Sequence, residues 1–299
     1  MAENKGKKFI KYHKSLTINL AILLILSIFF GGDYIAERTR QTIDTAKYQN
    51  TVTVMNVGQA DSTLIESAGE FCLIDAGATD DGISIISYLK ERKVESIKLL
   101  VITHFHTDHI SQVEEILNTY KVEGVLIPDL SQENLPTTTF FDRLLTKAEN
   151  GEFDIHLAKK GWSKEIGSGV FSVIDDTDNT NDINGTSVAC LFTQGNFTYV
   201  DAGDIGFKTE KLILPNIPTN VTVFNANHHG SKGSNSKEFV GRLSPKYVAI
   251  SCGENNRYGH PHSEVINTFA DLGLKYSITW QEGNLIYSMD TLTKTEGLI

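Results

Sequence analysis

The sequence predicts an α/β protein built as two halves, each a β-sheet covered by helices, stacked through their sheets. Three observations predict it. In the first half, short β-branched runs alternate with stretches of helical length, the pattern of sheets covered by helices. From Phe153 onward the texture changes to strands punctuated by glycine. Finally, five apolar runs end directly in polar residues able to bind a metal or a phosphate, which places those residues along one sheet edge.

The amino terminus is read separately from this body. Lys5, Lys7, Lys8, Lys11 and Lys14 precede Leu16 to Phe30, a run that is apolar apart from Thr17, Asn19 and Ser27. Fifteen helical residues rise only about 23 Å against a bilayer core of roughly 30 Å, and continuing through Tyr34-Ile35-Ala36 closes the gap. No small-x-small cleavage site follows, so residues 1–36 are expected to be an uncleaved anchor, with a cleaved export signal as the alternative. The lysines would keep the terminus inside, leaving the body membrane-anchored and extracytoplasmic, or secreted after cleavage. Residues 37–50 read as a polar linker, and residues 51–299 as the domain.

Within the domain, Thr51 to Val57, Ser62 to Glu66 and Glu70 to Asp75 alternate as an opening set of strands. Asp61, in the turn between the first two, either faces a site or caps the turn. A helix is expected over Gly82 to Lys93, a buried strand over Ile97 to Ile102, a helix over Ser111 to Tyr120 and a strand over Gly124 to Pro128. A helix behind Pro136 covers Thr137 to Glu149. Strands follow at Phe153 to Leu157, Val170 to Ile174, Ser187 to Thr193 and Phe197 to Val200, the last two joined by the Gln194-Gly195-Asn196 turn. Val221 to Ala226 and Tyr247 to Ser251 are further buried strands, Ser263 to Leu272 a helix, and Tyr276 to Thr279 and Leu285 to Met289 complete the sheets. Cys72, Cys190 and Cys252 lie in strand-like surroundings, and their odd number argues against a disulfide framework.

The chemistry concentrates in Thr103-His104-Phe105-His106-Thr107-Asp108-His109. A strand running out into a loop turns His104 and His106 to one side and leaves Asp108 and His109 pointing elsewhere. Four ligands can thus serve two adjacent ions, and imidazole with carboxylate suits zinc or a neighbouring divalent metal. Asp75, in Leu73-Ile74-Asp75-Ala76-Gly77, is placed to orient a ligating histidine, with a flexible glycine behind it. Val200-Asp201-Ala202-Gly203-Asp204 repeats that arrangement. Asp204 is the candidate oxygen ligand between two ions, or else a helix cap, and Asp201 is the alternative outer carboxylate. Net charge is −10, which opposes broad adhesion to a polyanion. Local contact could come from Lys208, Lys211, Lys232, Lys237, Arg242 and Lys246, whose simpler reading is as solvated surface charges.

His104 to His109, with Leu73 to Gly77 before and Gly203-Asp204 and His228-His229 after, resembles the metallo-β-lactamase fold superfamily. Within it, Val57-Gly58-Gln59-Ala60-Asp61-Ser62, His228-His229-Gly230-Ser231 and Ser251 to Pro261 resemble the extracytoplasmic hydrolase domain of the ComEC family of competence DNA-uptake proteins. The resemblance covers about Thr51 to Met289 and leaves out that family's membrane channel, so DNA transport is not carried over. It implies a four-layer αββα sandwich holding one or two ions per chain, Zn2+ or Mn2+. It places His104, His106, Asp108 and His109 on the ions, Asp204 between them, and one histidine of the His228-His229 pair, His228 preferred, on the second. Many members carry a further histidine before the Asp204 strand, yet none occurs here from Leu157 to Asn227. Asp182, Asn184 or water would then complete the first ion's set.

The activity this implies is metal-dependent hydrolysis of a phosphodiester outside the cytoplasm, with DNA as the leading substrate and single-stranded DNA as one form of it. Asp108 would orient water, Ser231 and His260 would hold phosphate oxygens, and Arg257 and Tyr258 would pair with or stack on a nucleotide, unless they form only a surface turn. A cell-surface phosphoesterase, for instance one acting on phosphocholine, and a non-catalytic binding module are the alternatives.

Overall fold

The structure, a computed structural model, describes residues 49–79, 82–177 and 182–295. The expected helix within residues 1–36 and most of the linker at 37–50 lie outside the described residues. No helix among the described residues is long and apolar enough to cross a membrane.

Two large sheets form the body. The first has eight strands in the order Thr293–Lys294, Leu285–Ser288, Thr51–Val54, Thr63–Ser67, Glu70–Ile74, Leu99–Val101, Gly124–Pro128 and Asp154–Ala158. The second has seven, in the order Lys275–Ile278, Tyr247–Ile250, Val223–Asn225, Phe197–Asp201, Ala189–Gln194, Gly169–Asp175 and Ser163–Ile166. Each sheet opens as an antiparallel meander and continues with parallel strands, from Glu70–Ile74 in the first and from Phe197–Asp201 in the second. Parallel neighbours need crossovers, which explains the helices Ile85–Glu91, Val113–Thr119 and Thr139–Glu149, and later Phe207–Ile213, Lys237–Leu243 and Ser263–Asp271.

Alternation along the strands sorts side chains into three apolar layers. Leu64, Leu73 and Leu100 face the helices of the first half, while Ile65, Cys72, Ile74, Leu99 and Val101 face the other way. There they meet Phe171, Cys190, Tyr199 and Val223 of the second sheet. Val200, Phe224 and Val248 project to the opposite side and pack with Phe239 and Phe269 of the second half's helices. The order is therefore helix, sheet, sheet, helix, as the sequence predicted. All three cysteines are free and buried.

Several boundaries differ from expectation. The strand foreseen over Ile97 to Ile102 breaks at Lys98, whose amide bonds Phe71 O, so Ser96–Ile97 joins a small two-stranded sheet with Lys121–Val122 and Leu99–Val101 stays in the main one. The end of the metal-candidate loop is not irregular, because Thr107–Ile110 forms one helical turn. Thr279 starts a short helix, Thr279–Glu282, rather than ending a strand. Helix Phe207–Ile213 was foreseen only as the alternative in which Asp204 caps a segment starting near Ile205, and helix Lys237–Leu243 and strand Ser163–Ile166 were not foreseen, since exposed Lys and Glu interrupt their apolar periodicity.

Candidate metal centre

The parallel strands share an orientation, so their carboxyl ends open on one edge, and the candidate residues gather there. Asp75 follows Glu70–Ile74, His104 follows Leu99–Val101, Asp204 follows Phe197–Asp201, and His228 and His229 follow Val223–Asn225. Asp204 sits at the middle. Its Oδ1 lies 3.3 Å from His109 Nε2 and 3.8 Å from His229 Nε2, and its Oδ2 lies 3.7 Å from His104 Nε2 and 3.6 Å from His228 Nε2. His106 Nδ1 is 3.1 Å from His104 Nε2, and His229 Nε2 is 3.6 Å from Asp108 Oδ2. A helix-capping role for Asp204 does not hold, because Gly206 occupies the cap position of Phe207–Ile213.

The outer atoms of these imidazoles are already engaged. His109 Nδ1 meets Asp75 Oδ2 at 2.6 Å, and the same carboxylate accepts from Thr103 N and Thr103 Oγ1. His229 Nδ1 donates to the Ser251 carbonyl at 2.8 Å. These contacts fix both rings so that Nε2 points inward. His109 Nε2, His229 Nε2 and Asp204 Oδ1 are left buried with no hydrogen-bond partner.

Buried polar atoms are ordinarily paired, so three orphans aimed at one point mark a place for a cation. Among the described residues, two groups have metal-ligating atoms within 4.8 Å of one another: His104, His109 and Asp204, and Asp108, His109 and His229. The protonation states agree. Burial works against charge on His109, yet Asp204 and Asp75 hold its pKa well above the ordinary value. Burial likewise opposes charge on His229, but Asp204 and Asp108 lift its pKa to about 9. Burial would raise the carboxyls of Asp204 and Asp108, and the neighbouring imidazoles hold both well below the usual range. Protons on imidazoles thus sit between ionised carboxylates, and a divalent ion can replace them with the same sign of charge. The residues present fit such an ion.

The centre forms the floor of an open cavity of about 730 Å³. Its rim comes from the segment after Tyr247–Ile250. Asn256 braces that segment: its Nδ2 donates to Gly253 O and His260 O, and its Oδ1 accepts from Tyr258 N and His260 N. Rings then rise outward in a stair. His260 stacks on His229 with centroids 6.1 Å apart, Tyr258 stacks on His260 at 5.6 Å, and the Arg257 guanidinium lies 4.8 Å over the Tyr258 ring. Burial, then the neighbouring His229 and His228, lower the His260 pKa to about 4.

The predicted site residues thus converge, with exceptions. Ser231 does not line the cavity, and its hydroxyl accepts from Gly233 N. Of the His228-His229 pair, His229 is the imidazole beside Asp108, and His228 stands beside Asp204 Oδ2. None of the six predicted surface cations lines the cavity; Arg257 does. Lys237 instead pairs with Asp271, and Lys246 donates to the Leu292 carbonyl. Asp61 neither faces the cavity nor caps a turn. It is buried, its amide donates to Asp108 O, and its carboxylate accepts from Asn225 Nδ2. Asp201, behind it, accepts from Tyr199, Gly203 and Asn225.

Gln59 and Asn256 were not singled out beforehand. Gln59 Oε1 accepts from Gly253 N, tying the first half's turn to the rim, and its one sequence signal is its place in Val57 to Ser62. Gly77 was read as flexible. A Cβ there would stand 1.5 Å from Asp108 O, so the glycine serves to let two backbones meet.

Known proteins place the chain. ComE operon protein 3 of Bacillus subtilis (strain 168) is 27% identical over 261 residues, 80% of this chain and 33% of that protein. Recombination protein 2 of Haemophilus influenzae is 26% identical over 220 residues, 72% of this chain and 26% of that protein. The chain thus spans about a third or less of these curated relatives. Igni18, a metallo hydrolase of Ignicoccus hospitalis, superposes with a TM-score of 0.56 at 17% identity, covering 80% of this chain and 99% of its own. Residues 55–254 match the Metallo-beta-lactamase superfamily, whose fold binds divalent metals, and the chain belongs to that superfamily.

Proposed function

We propose that the chain is a metal-dependent phosphodiesterase acting on DNA, single strands foremost, outside the cytoplasm. The observation that carries the reading is the convergence of five histidines and two aspartates, Asp108 and Asp204, beneath a rim that offers stacked rings and a guanidinium. Bound divalent ions would supply water of near-neutral pKa and offset the charge that develops on the phosphoryl oxygens.

The chain's own groups do the rest. His104, His106, Asp108, His109, Asp204 and His229 would hold the ions. Asp75 and the Ser251 carbonyl keep the His109 and His229 rings turned inward. Asp108, partly exposed at the cavity floor, is placed to accept a proton or orient water. His260 stays neutral at physiological pH, so its N–H can donate a hydrogen bond to a phosphate oxygen without adding charge. Arg257 supplies a cation for a neighbouring phosphate, and Tyr258, 48% exposed, offers a face to a base.

Relationship to a recombination protein supports a nucleic-acid substrate, and the basic-then-apolar amino terminus supports action beyond the membrane. Zinc and manganese both suit the donor set. The test is a substrate panel on the full chain with each metal: single-stranded DNA, duplex DNA, bis(4-nitrophenyl) phosphate and a phosphocholine ester. DNA cleavage that disappears on chelation and in His104→Ala is expected. Turnover of the small esters alone would replace DNA with a cell-surface phosphoester, and no turnover with either metal would leave a binding module.

A further inference from the structure

We propose that Phe207, Lys232 and His262 form a second binding surface beside the cavity, which holds the nucleotides of a single strand that lie beyond the scissile phosphate. The proposal rests on the DNA reading above and extends it to residues that do not line the cavity. Two series of contacts lead out to this surface. In one, His228 lines the cavity, its carbonyl accepts from Ser231 N, and two residues further on Gly233 O accepts from Phe207 N at 2.9 Å. In the other, the stacked rings of Tyr258 and His260 continue to His262, whose centroid is 5.0 Å from that of His260, and His262 Nδ1 accepts from Lys232 N at 3.2 Å. The two series meet in Ser231-Lys232-Gly233. Rings and cations therefore follow one another from the rim of the cavity to Phe207.

The fold makes no use of the side chains at the far end. Helix Phe207–Ile213 buries Thr209, Glu210 and Ile213, whereas Phe207 is 49% exposed and belongs to none of the three apolar layers. Leu212 is exposed on the same helix, but five residues on it stands about 140° around the axis from Phe207, so the two do not make one apolar patch of the kind a protein partner covers. The loop that carries Lys232 is held from below. Ser234 Oγ donates to Ile205 O, and the amides of Asn235 and Ser236 donate to the two oxygens of the buried Glu210 carboxylate. Lys232 and Gly233 are left exposed above it. Lys232 makes no ion pair among the described residues; the carboxylate near it is that of exposed Glu264, which accepts from Ser263 Oγ. Because His262 Nδ1 accepts a hydrogen bond, its Nε2 carries the proton and can donate to a phosphate oxygen. A base stacks on a ring while its backbone meets an ammonium or an N–H, and this surface continues the order begun by Tyr258 and Arg257. Such local cations can attract a strand even though net charge is −10.

The test compares strand lengths on the full chain with Mn2+: trithymidylate, which the cavity accommodates, and an oligothymidylate of about twelve residues, which extends past the rim. Wild type is expected to favour the longer strand in kcat/KM. Phe207→Ala should raise KM for the longer strand about 5- to 100-fold, and Phe207→Tyr, which keeps a ring, should restore it. Lys232→Ala should lower the slope of log kcat/KM against log salt by about 0.7 on the longer strand, and Lys232→Arg should restore that slope. Circular dichroism checks that each variant is folded. Equal preference of the wild type for both lengths would overturn the proposal, as would losses in Phe207→Ala and Lys232→Ala as large on trithymidylate as on the longer strand. Unchanged strand kinetics in Phe207→Ala together with altered self-association in sedimentation would assign the ring to a protein contact and overturn it too. Hydrolysis of bis(4-nitrophenyl) phosphate by the wild type without cleavage of either strand would instead remove the DNA reading on which this surface depends.

Discussion

Gly77→Ala should disable the centre from outside it. A Cβ at this position would meet Asp108 O at 1.5 Å, Asp108 C at 2.2 Å and His109 N at 2.8 Å. All three are backbone atoms, so no rotamer relieves the clash. Reaching even a tight 3.0 Å contact with Asp108 O requires a shift of about 1.5 Å (3.0 − 1.5) in one backbone or the other. Neither is free to move. Gly77 N donates to Asp61 O, Ala76 N to His109 O, and Asp61 N to Asp108 O. A displacement of about 1 Å in a reacting constellation costs on the order of 10²-fold, so activity should fall by at least about that factor. Bound metal at the Asp108–His109–His229 group should fall with it. The assay pairs hydrolysis of a chromogenic phosphodiester with elemental analysis of the purified variant. Gly241→Ala is the control, since the nearest atom to its Cβ is Leu272 Cδ2 at 3.8 Å. It lies within Lys237–Leu243 and should stabilise by up to about 1 kcal/mol. If Gly77→Ala kept wild-type turnover and metal content, the close approach of the two backbones would not be what positions the ligands.

Other expectations follow from the same geometry. Asp75→Ala removes the carboxylate that turns His109, and metal affinity should drop about 10- to 100-fold in calorimetric titration with secondary structure intact. Tyr258→Ala should raise KM for single-stranded DNA by an amount corresponding to about 1–3 kcal/mol of stacking, while turnover of bis(4-nitrophenyl) phosphate stays the same; equal losses on both substrates would place the ring elsewhere in the mechanism. Asp61 gives a pH signature in metal-stripped protein. Burial and then the Asp201 charge push its pKa from 3.8 up to about 8. The folded state thus keeps a proton that the unfolded chain has already released. Stability tied to that proton is complete below about pH 4 and is lost as pH rises toward 8, at about 1.4 kcal/mol per pH unit. Asp61→Asn should flatten the fall of the urea midpoint between pH 5 and pH 8, and an unchanged slope would count against a protonated Asp61.

Much of this centre could be read in the sequence because its donors follow buried strands. An apolar run that ends in His104 or Asp204 announces both the strand and the edge it reaches, and period-two alternation in Leu64–Ile65 and Leu99–Leu100–Val101 announces two buried faces. The division of labour between His228 and His229 could not be read. It depends on two left-handed residues in succession, which no local pattern in Asn227-His228-His229-Gly230 requires. Gly77 was seen but misread, because a missing Cβ carries the same letter whether it grants freedom or permits contact across more than thirty residues. Gln59 and Asn256 went unnoticed for a related reason. Each acts by bonding a distant backbone, and an amide side chain in a loop has no periodicity to betray it.

Asp204 belongs to the second half of the chain, while His104, His106, Asp108 and His109 belong to the first. An ion seated there would rivet the two sheets together. The loaded protein should therefore unfold at a higher temperature than the same protein after a chelator is added, so that the shift in melting temperature tracks occupancy.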